Sequence, residues 1–320
     1  MIMILMPLVA IRPVQAASFQ KSIITFTFDD ARSGQKVLAA DILKQAGFKA
    51  SAFISPTTLT GTHDSMTKRD ITDLQNVYGW EIGSRSMTAN GLTACSSSDC
   101  FNAEISGSKQ NMTAMGWTVS SFAYPSGRLS SNSNIRAVIE ANYIGARESS
   151  SGRGTAPVLA TAGVDIYRVV PNDVKGNTTV DTVQGWIDQA VSSKAWLVLS
   201  FKQIVAQASS KGLNSGQYLS SNLTTIVQYV KSKVQAGALD ALTFKGVLEV
   251  VNGLRGNTTA GGGGTGSNNN GLVGMLAVPL LIVGVAVVSG IGIGIHRFNS
   301  RKRTRRLYPA STQPAQPPAK

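Results

Sequence analysis

Histidine and cysteine are nearly missing from this chain: its 320 residues hold two of each. A metal centre built on imidazole or thiolate therefore has little to draw on. His63 falls in a predicted loop, and His296 sits near the far end, out of reach of the body. Cys95 and Cys100 are separated by Ser96-Ser97-Ser98-Asp99, a spacing that permits a small disulfide loop; two free thiols are the other reading. Acidic residues are also few, 17 against 30 basic, for a formal charge of +13. Arg297, Arg301, Lys302, Arg303, Arg305, Arg306 and Lys320 crowd the C-terminus and Arg12 lies in the leader, which leaves 22 basic against 17 acidic in the body. An excess of about five over so large a body does not describe a nucleic-acid surface.

Two further absences set the topology. Leu272–Ile295 contains no charged residue over 24 positions. As a helix it would extend about 36 Å, enough to cross a hydrocarbon core of about 30 Å. The arginine cluster after it predicts a cytoplasmic C-terminus, with the basic tail 296–320 against anionic lipid headgroups. The N-terminal apolar run Ile2–Ile11 lacks a basic start but ends near Val14-Gln15-Ala16. It reads as a signal peptide over 1–16, with an uncleaved anchor as the alternative. Either way residues 17–270 are expected outside the cytoplasm. Asn111, Asn177, Asn222 and Asn257 each begin a glycosylation acceptor sequence.

Within the body, strand-like and helix-like runs alternate. Ile23–Phe28, Ala50–Ile54, Trp80–Gly83, Ser121–Tyr124, Ile144–Ala146, Ile166–Val170 and Trp196–Phe201 predict strands, with a shorter one near Leu242–Phe244. Helical spacing covers Lys36–Ala46, Thr67–Val77, Ala103–Met115, Asn134–Ala141, Val180–Ser193 and Gln217–Val234. This alternation predicts one α/β domain over 17–255, barrel-like or doubly wound. A Gly-, Asn- and Thr-rich linker, 256–271, then leads to the membrane span 272–295. Asp29-Asp30 ends the first strand, where α/β folds place their chemistry. Adjacent carboxylates repel unless a metal, a proton or basic groups stabilise them.

Five ordered blocks bear on what does so. They are Thr27-Phe28-Asp29-Asp30, Trp80 through Ala89, Phe122-Ala123-Tyr124-Pro125-Ser126-Gly127, Tyr167-Arg168-Val169-Val170-Pro171 and Leu197 through Gln203. Together the blocks resemble the polysaccharide deacetylase family, the NodB-homology domain, from Lys21 to Gly253. The resemblance implies a distorted (β/α) barrel and metal-assisted removal of acetyl groups from N-acetylated sugars. It implies that Asp29 is the base position and that Asp30 ligates the metal with two histidines of the second block. A backbone N–H near Ser126 would hold the oxyanion, and a histidine of the last block would be the acid.

The chain departs from that pattern where it matters most. The two ligand positions hold Arg85 and Ala89, and the acid position holds Lys202 followed by Gln203. No metal and no other cofactor is therefore expected, and Asp29 and Asp30 are expected to face Arg85 and Lys202 as ion pairs. The function that follows is an extracytoplasmic, membrane-anchored domain of this family that binds acetylated cell-surface glycan. Arg85, Tyr124, Pro125, Ser126 and Gly127 are its substrate-binding candidates, and Trp80 and Trp117 are either core or groove. One alternative is a metal-independent deacetylase with Asp29 as base and Lys202 as acid. Another is a structural envelope protein.

Overall fold

The run Ser-Ile-Ile-Thr-Phe-Thr-Phe-Asp is buried at every position, as a strand covered on both faces must be. In the computed structural model, which describes residues 19–62, 64–126, 129–149 and 164–259, this run is β1 (Ser22–Asp29). The other strands are β2 (Ser51–Ile54), β3 (Glu81–Ser84), β4 (Val119–Ala123), β5 (Ala146–Arg147), β6 (Asn172–Asp173), β7 (Trp196–Phe201), β8 (Gln203–Val205), β9 (Gln217–Leu219) and β10 (Leu239–Ala241). The helices are α1 (Ala40–Ala46), α2 (Lys68–Asn76), α3 (Gly91–Ala94), α4 (Ser98–Ala114), α5 (Ser133–Asn142), α6 (Val180–Ser193), α7 (Ser220–Gln235) and α8 (Phe244–Thr259). A single π-helical turn, Gln35–Ala39, leads into α1. Every described residue lies in one compact unit within 1–265.

The main sheet is wholly parallel and runs β5-β4-β3-β2-β1-β7-β6, with β10 also beside β1. Its two ends approach each other. Val169 bridges Arg147 of β5, and three residues later β6 pairs with β7, so one segment curls the sheet into the distorted (β/α) barrel that the family resemblance implies. Side chains alternate accordingly. Ile24, Phe26 and Phe28 of β1 pack outward in the larger core shared with the helices. Ile23 joins Phe53, Ala123, Trp196 and Val198 in an inner core that also takes Phe244, Val247, Leu248 and Val251 of α8. On that alternation Asp29 shares the inward face with Ile23. Gly83 keeps this interior open, since a Cβ there would come within 2.5 Å of the Phe53 ring.

The amino-terminal end of the barrel is closed by a buried carboxylate. Glu81 accepts from Ser51 Oγ at 2.8 Å, from the Lys245 N–H at 2.7 Å and from Ser121 Oγ. Ser51 Oγ also accepts from the Phe244 N–H at 2.8 Å, so two free N–H groups at the start of α8 are satisfied through one site. Burial pushes the Glu81 carboxyl up, and the hydrogen bonds from Lys245, Ser121 and Ser51 offset this only in part.

Several predicted elements shift or change kind. The Ile166–Val170 strand is reduced to the Val169 bridge, and the pairing falls on β6 instead. Residues 217–219 form β9 rather than the first turn of α7, because they pair with β8. The predicted strand near Leu242–Phe244 lies earlier, at β10, and α8 follows where no helix is predicted. Helix α8 runs to Thr259, into the predicted linker. Trp80 and Trp117 are both core, each 2% exposed; Trp80 stacks on Phe28 at 4.9 Å, and neither shapes a groove. The leader 1–16, the span 272–295 and the tail 296–320 lie outside the described residues. Among the described residues no helix is long and apolar enough to cross a membrane.

Replacing Glu81 by Ala should cost about 2–3 kcal/mol in chemical denaturation, because buried donors lose their acceptor. Glu81→Gln should cost less. The raised pKa means the native state favours the neutral acid, so this contribution is full below the ordinary value of 4.5 and is lost as pH rises through the native pKa. The stability advantage of Glu81 over Gln should therefore narrow as pH rises.

Candidate functional site

The carboxyl ends of the strands gather every charge of the site at one mouth of the barrel. Asp29 ends β1, Arg147 ends β5, Arg85 follows β3, Pro125 lies two residues past β4, and Lys202 follows β7. The backbone at the turn out of β1 is left-handed, with φ of 68° at Asp30 and 48° at Ala31. Aspartate tolerates that region better than most side chains. Gln35 locks the turn by donating from Nε2 to the carbonyls of Asp29 at 2.6 Å and Lys202 at 2.8 Å. Gly34 permits this closure, since a Cβ there would collide with the Ile204 carbonyl. A register shift in β3 between Ile82 and Ser84 precedes Arg85.

The two carboxylates have different surroundings. Asp29 is buried and ion-paired to Arg147, which is fully buried and lies 4.6 Å over the Phe53 ring. Arg85 Nε is 3.7 Å from the other Asp29 oxygen. Asp30 is ion-paired to Arg85 through Nη1, and to Lys202 Nζ at 3.1 Å. Arg85 Nη2 donates to the Pro125 carbonyl at 3.0 Å. The chain of charge therefore alternates from the interior to solvent: Arg147, Asp29, Arg85, Asp30, Lys202. Burial pushes the Asp30 carboxyl up, but the charges of Arg85 and Lys202 outweigh it, and the group is held below the usual carboxylate range. Burial lowers the pKa of Arg147, against the charge of Asp29.

The predicted pairing needs one correction. Among the described residues Lys202 pairs with Asp30 alone, and the partner of Asp29 is Arg147 together with Arg85. Arg147 lies outside the five blocks, one residue past a predicted strand. The only signal for it was an arginine at the carboxyl end of a short apolar run. Of the substrate-binding candidates, Arg85 and Pro125 line the cavity at the mouth. Tyr124 does not: it is fully buried, with its hydroxyl 3.3 Å from the Tyr167 carbonyl, so it anchors the loop from beneath. Ser126 is half-buried beside Pro125 and is not part of the cavity lining. Gly127 and His63 lie outside the described residues. Cys95 and Cys100 are disulfide-bonded, with Cα atoms 5.4 Å apart, in the loop that precedes and starts α4. Asn111 and Asn177 are exposed, Asn222 is half-buried, and the side chain of Asn257 lies outside the described residues.

The family's metal does not fit these residues. Arg85 has no lone pair to offer and Ala89 has no donor atom. Asp30, the remaining ligand position, is already engaged by two cations. Among the described residues no group of three or more His, Cys, Asp or Glu side chains is placed to hold an ion.

Fold and site together define a parallel (β/α)-barrel domain with charged side chains at the carboxyl ends of its strands. Residues 16–144 match the family model described as Polysaccharide deacetylase. A search of the curated proteins finds no match. Among solved structures the chain is similar to the Xyl-CE4 domain of a multidomain xylanase from the hindgut metagenome of Trinervitermes trinervoides. The identity is 18%, over 72% of this chain and 91% of that one, with a TM-score of 0.48. A family 4 carbohydrate esterase from Streptomyces lividans in complex with acetate is 16% identical over 70% and 93%, with a TM-score of 0.43. A family 4 acetyl xylan esterase from Clostridium thermocellum in complex with a cobalt ion is 16% identical over 72% and 92%, with a TM-score of 0.44.

Arg147→Met should destabilise the protein by about 3–5 kcal/mol in urea denaturation, because it strands a buried carboxylate. Adding Asp29→Leu should recover part of that loss, and a fully additive double variant would refute the coupling. Because the native Asp30 pKa is depressed, its stabilisation is present above the ordinary value of 3.8 and is lost as pH falls through the native one. Asp30→Asn should remove that acid-dependent component, giving a flatter stability profile below about pH 4.

Proposed function

We propose that this protein is a membrane-anchored, extracytoplasmic member of the polysaccharide deacetylase family that binds acetylated surface glycan and has lost metal-dependent deacetylation. One observation carries the reading: cations take both carboxylates, and the ligand positions beside them hold Arg85 and Ala89. Metal-assisted hydrolysis needs a coordinated water of lowered pKa, and the side chains at this mouth do not supply the ligands for it. A cavity of about 330 Å³ remains there, open to solvent and lined by polar side chains, which suits a saccharide better than an apolar ligand. That volume lies at the lower end of small-molecule sites, about 300–1,000 Å³.

The geometry gives less support to a metal-independent enzyme. A general base must reach the proton it removes. Asp29 is 2% exposed, lies below the cavity lining, and has its oxygens directed at Arg147 and Arg85. The anchor rests on the uncharged Leu272–Ile295 stretch and the arginines that follow it. The basic tail faces anionic headgroups in this arrangement, and glycans at Asn111 and Asn177 would be carried on the outer side.

The purified full chain should contain no stoichiometric zinc by elemental analysis and should bind acetylated chito-oligosaccharide without releasing acetate. Acetate release abolished by Asp29→Asn would establish the metal-independent enzyme instead. A tightly bound equivalent of zinc would overturn the metal-free reading. Neither binding nor turnover would leave a structural envelope protein.

A further inference from the structure

The charges at the barrel mouth do not balance. Among the described residues, Arg32, Arg85 and Lys202 line the cavity against a single carboxylate, Asp30. The other carboxylate, Asp29, lies below and is matched by its own buried cation, Arg147. Counted over all six groups, four cations face two anions. Lys202 is half-exposed and shares Asp30 with Arg85, so its ammonium keeps donors free. Arg32 is exposed and forms no ion pair or side-chain hydrogen bond among the described residues, yet it stands near enough to act on the Asp30 carboxyl. Its strand-like bridge to Ser65 holds the backbone in place.

The rest of the lining suits a sugar. Ser55 and Arg85 are both more than nine-tenths buried, and Ser55 Oγ donates to the Arg85 carbonyl at 2.8 Å. Thr58 and Ser65 spend their hydroxyl protons on backbone carbonyls, at 2.8 Å to Ser55 and 2.6 Å to Thr58; Ser65 Oγ also accepts from the Thr60 N–H at 3.3 Å, so each oxygen keeps at least one lone pair for a hydroxyl donor. Asn90 adds an exposed side-chain amide. A neutral acetylated sugar would leave the surplus positive charge uncompensated. A ring that carries an oxyanion would neutralise it, and a guanidinium fork such as that of Arg32 matches a carboxylate or sulfate in a planar, two-point contact.

We infer that the mouth of this barrel is an oxyanion site that recognises an acidic glycan, one bearing a carboxylate or sulfate on its sugar ring. The inference rests on the glycan-binding reading above and narrows it. The anion sits between Arg32 and Lys202 above the Asp30–Arg85 pair, and the ring lies against the Ser55, Thr58, Ser65 and Asn90 side.

Isothermal titration of the full chain in detergent tests this with three probes: trigalacturonate, triacetylchitotriose and inorganic sulfate. Trigalacturonate should bind tightest, and its affinity should fall as sodium chloride rises, while that of the neutral trisaccharide should not. Arg32→Gln should weaken the acidic probe about ten-fold, and Arg32→Lys, which keeps the charge but not the two-point fork, should restore only part of the loss. Arg32→Glu should abolish binding with no change in thermal unfolding, since the side chain is exposed. Tighter binding of triacetylchitotriose, indifferent to salt and to Arg32, would overturn the anion site and leave the glycan reading standing. Sulfate alone matching trigalacturonate would overturn recognition of the sugar. No binding of either saccharide would overturn both readings.

Discussion

A carboxylate inside a barrel must be matched there, and the Asp29–Arg147 pair is the constraint on which the rest of this mouth depends. Asp29 ends β1 and Arg147 ends β5, which are not neighbours in the sheet, so their contact spans the interior rather than one strand ladder. Desolvating two charges is costly, and only a close pair with further partners tolerates it. Phe53 supplies one, lying under the guanidinium; Arg85 supplies another. Each layer outward then takes the opposite sign, ending at Lys202 in contact with solvent. The alternation of charge offsets the repulsion between the adjacent carboxylates.

The two ends of the barrel use buried carboxylates in opposite ways. Glu81, at the amino-terminal end, is held by hydroxyls and N–H groups, with no cation as its closest partner. It caps α8 and ties that helix to β2 and β4, which is a structural task. Asp29 and Asp30, at the other end, are held by full charges. The contrast follows from the barrel's polarity: loops after the strand carboxyl ends carry side chains inward to one focus, while the opposite ends serve stability.

Much of the fold was legible in the residues. The unbroken Ile23–Phe28 run could only be a strand buried on both faces, and β7 keeps the bounds its apolar run predicts. The helices α2, α5 and α6 fall within a residue or so of their periodic stretches. The misses have physical causes. Gln217–Leu219 reads as helix in isolation and becomes a strand because β8 offers it a partner. The α8 run carries no clear helical signal in the sequence because its apolar face, Phe244, Val247, Leu248 and Val251, finds its use only against the inner core.

For the site, the sequence by itself determined the composition of the mouth. It set two carboxylates at one strand end, Arg85 and Ala89 where the family resemblance implies histidines, and Lys202 at the acid position. Which charge meets which was decided only by the closed barrel. Arg147 is 118 positions from Asp29 and belongs to no block, so no local spacing pairs them. Their meeting is set by strand order and by the inward phase of β1 and β5, and those are properties of the whole sheet. Arg32 is the same case at the surface: an ordinary loop arginine in the sequence, and one of the cations lining the cavity once the turn after β1 folds over the mouth.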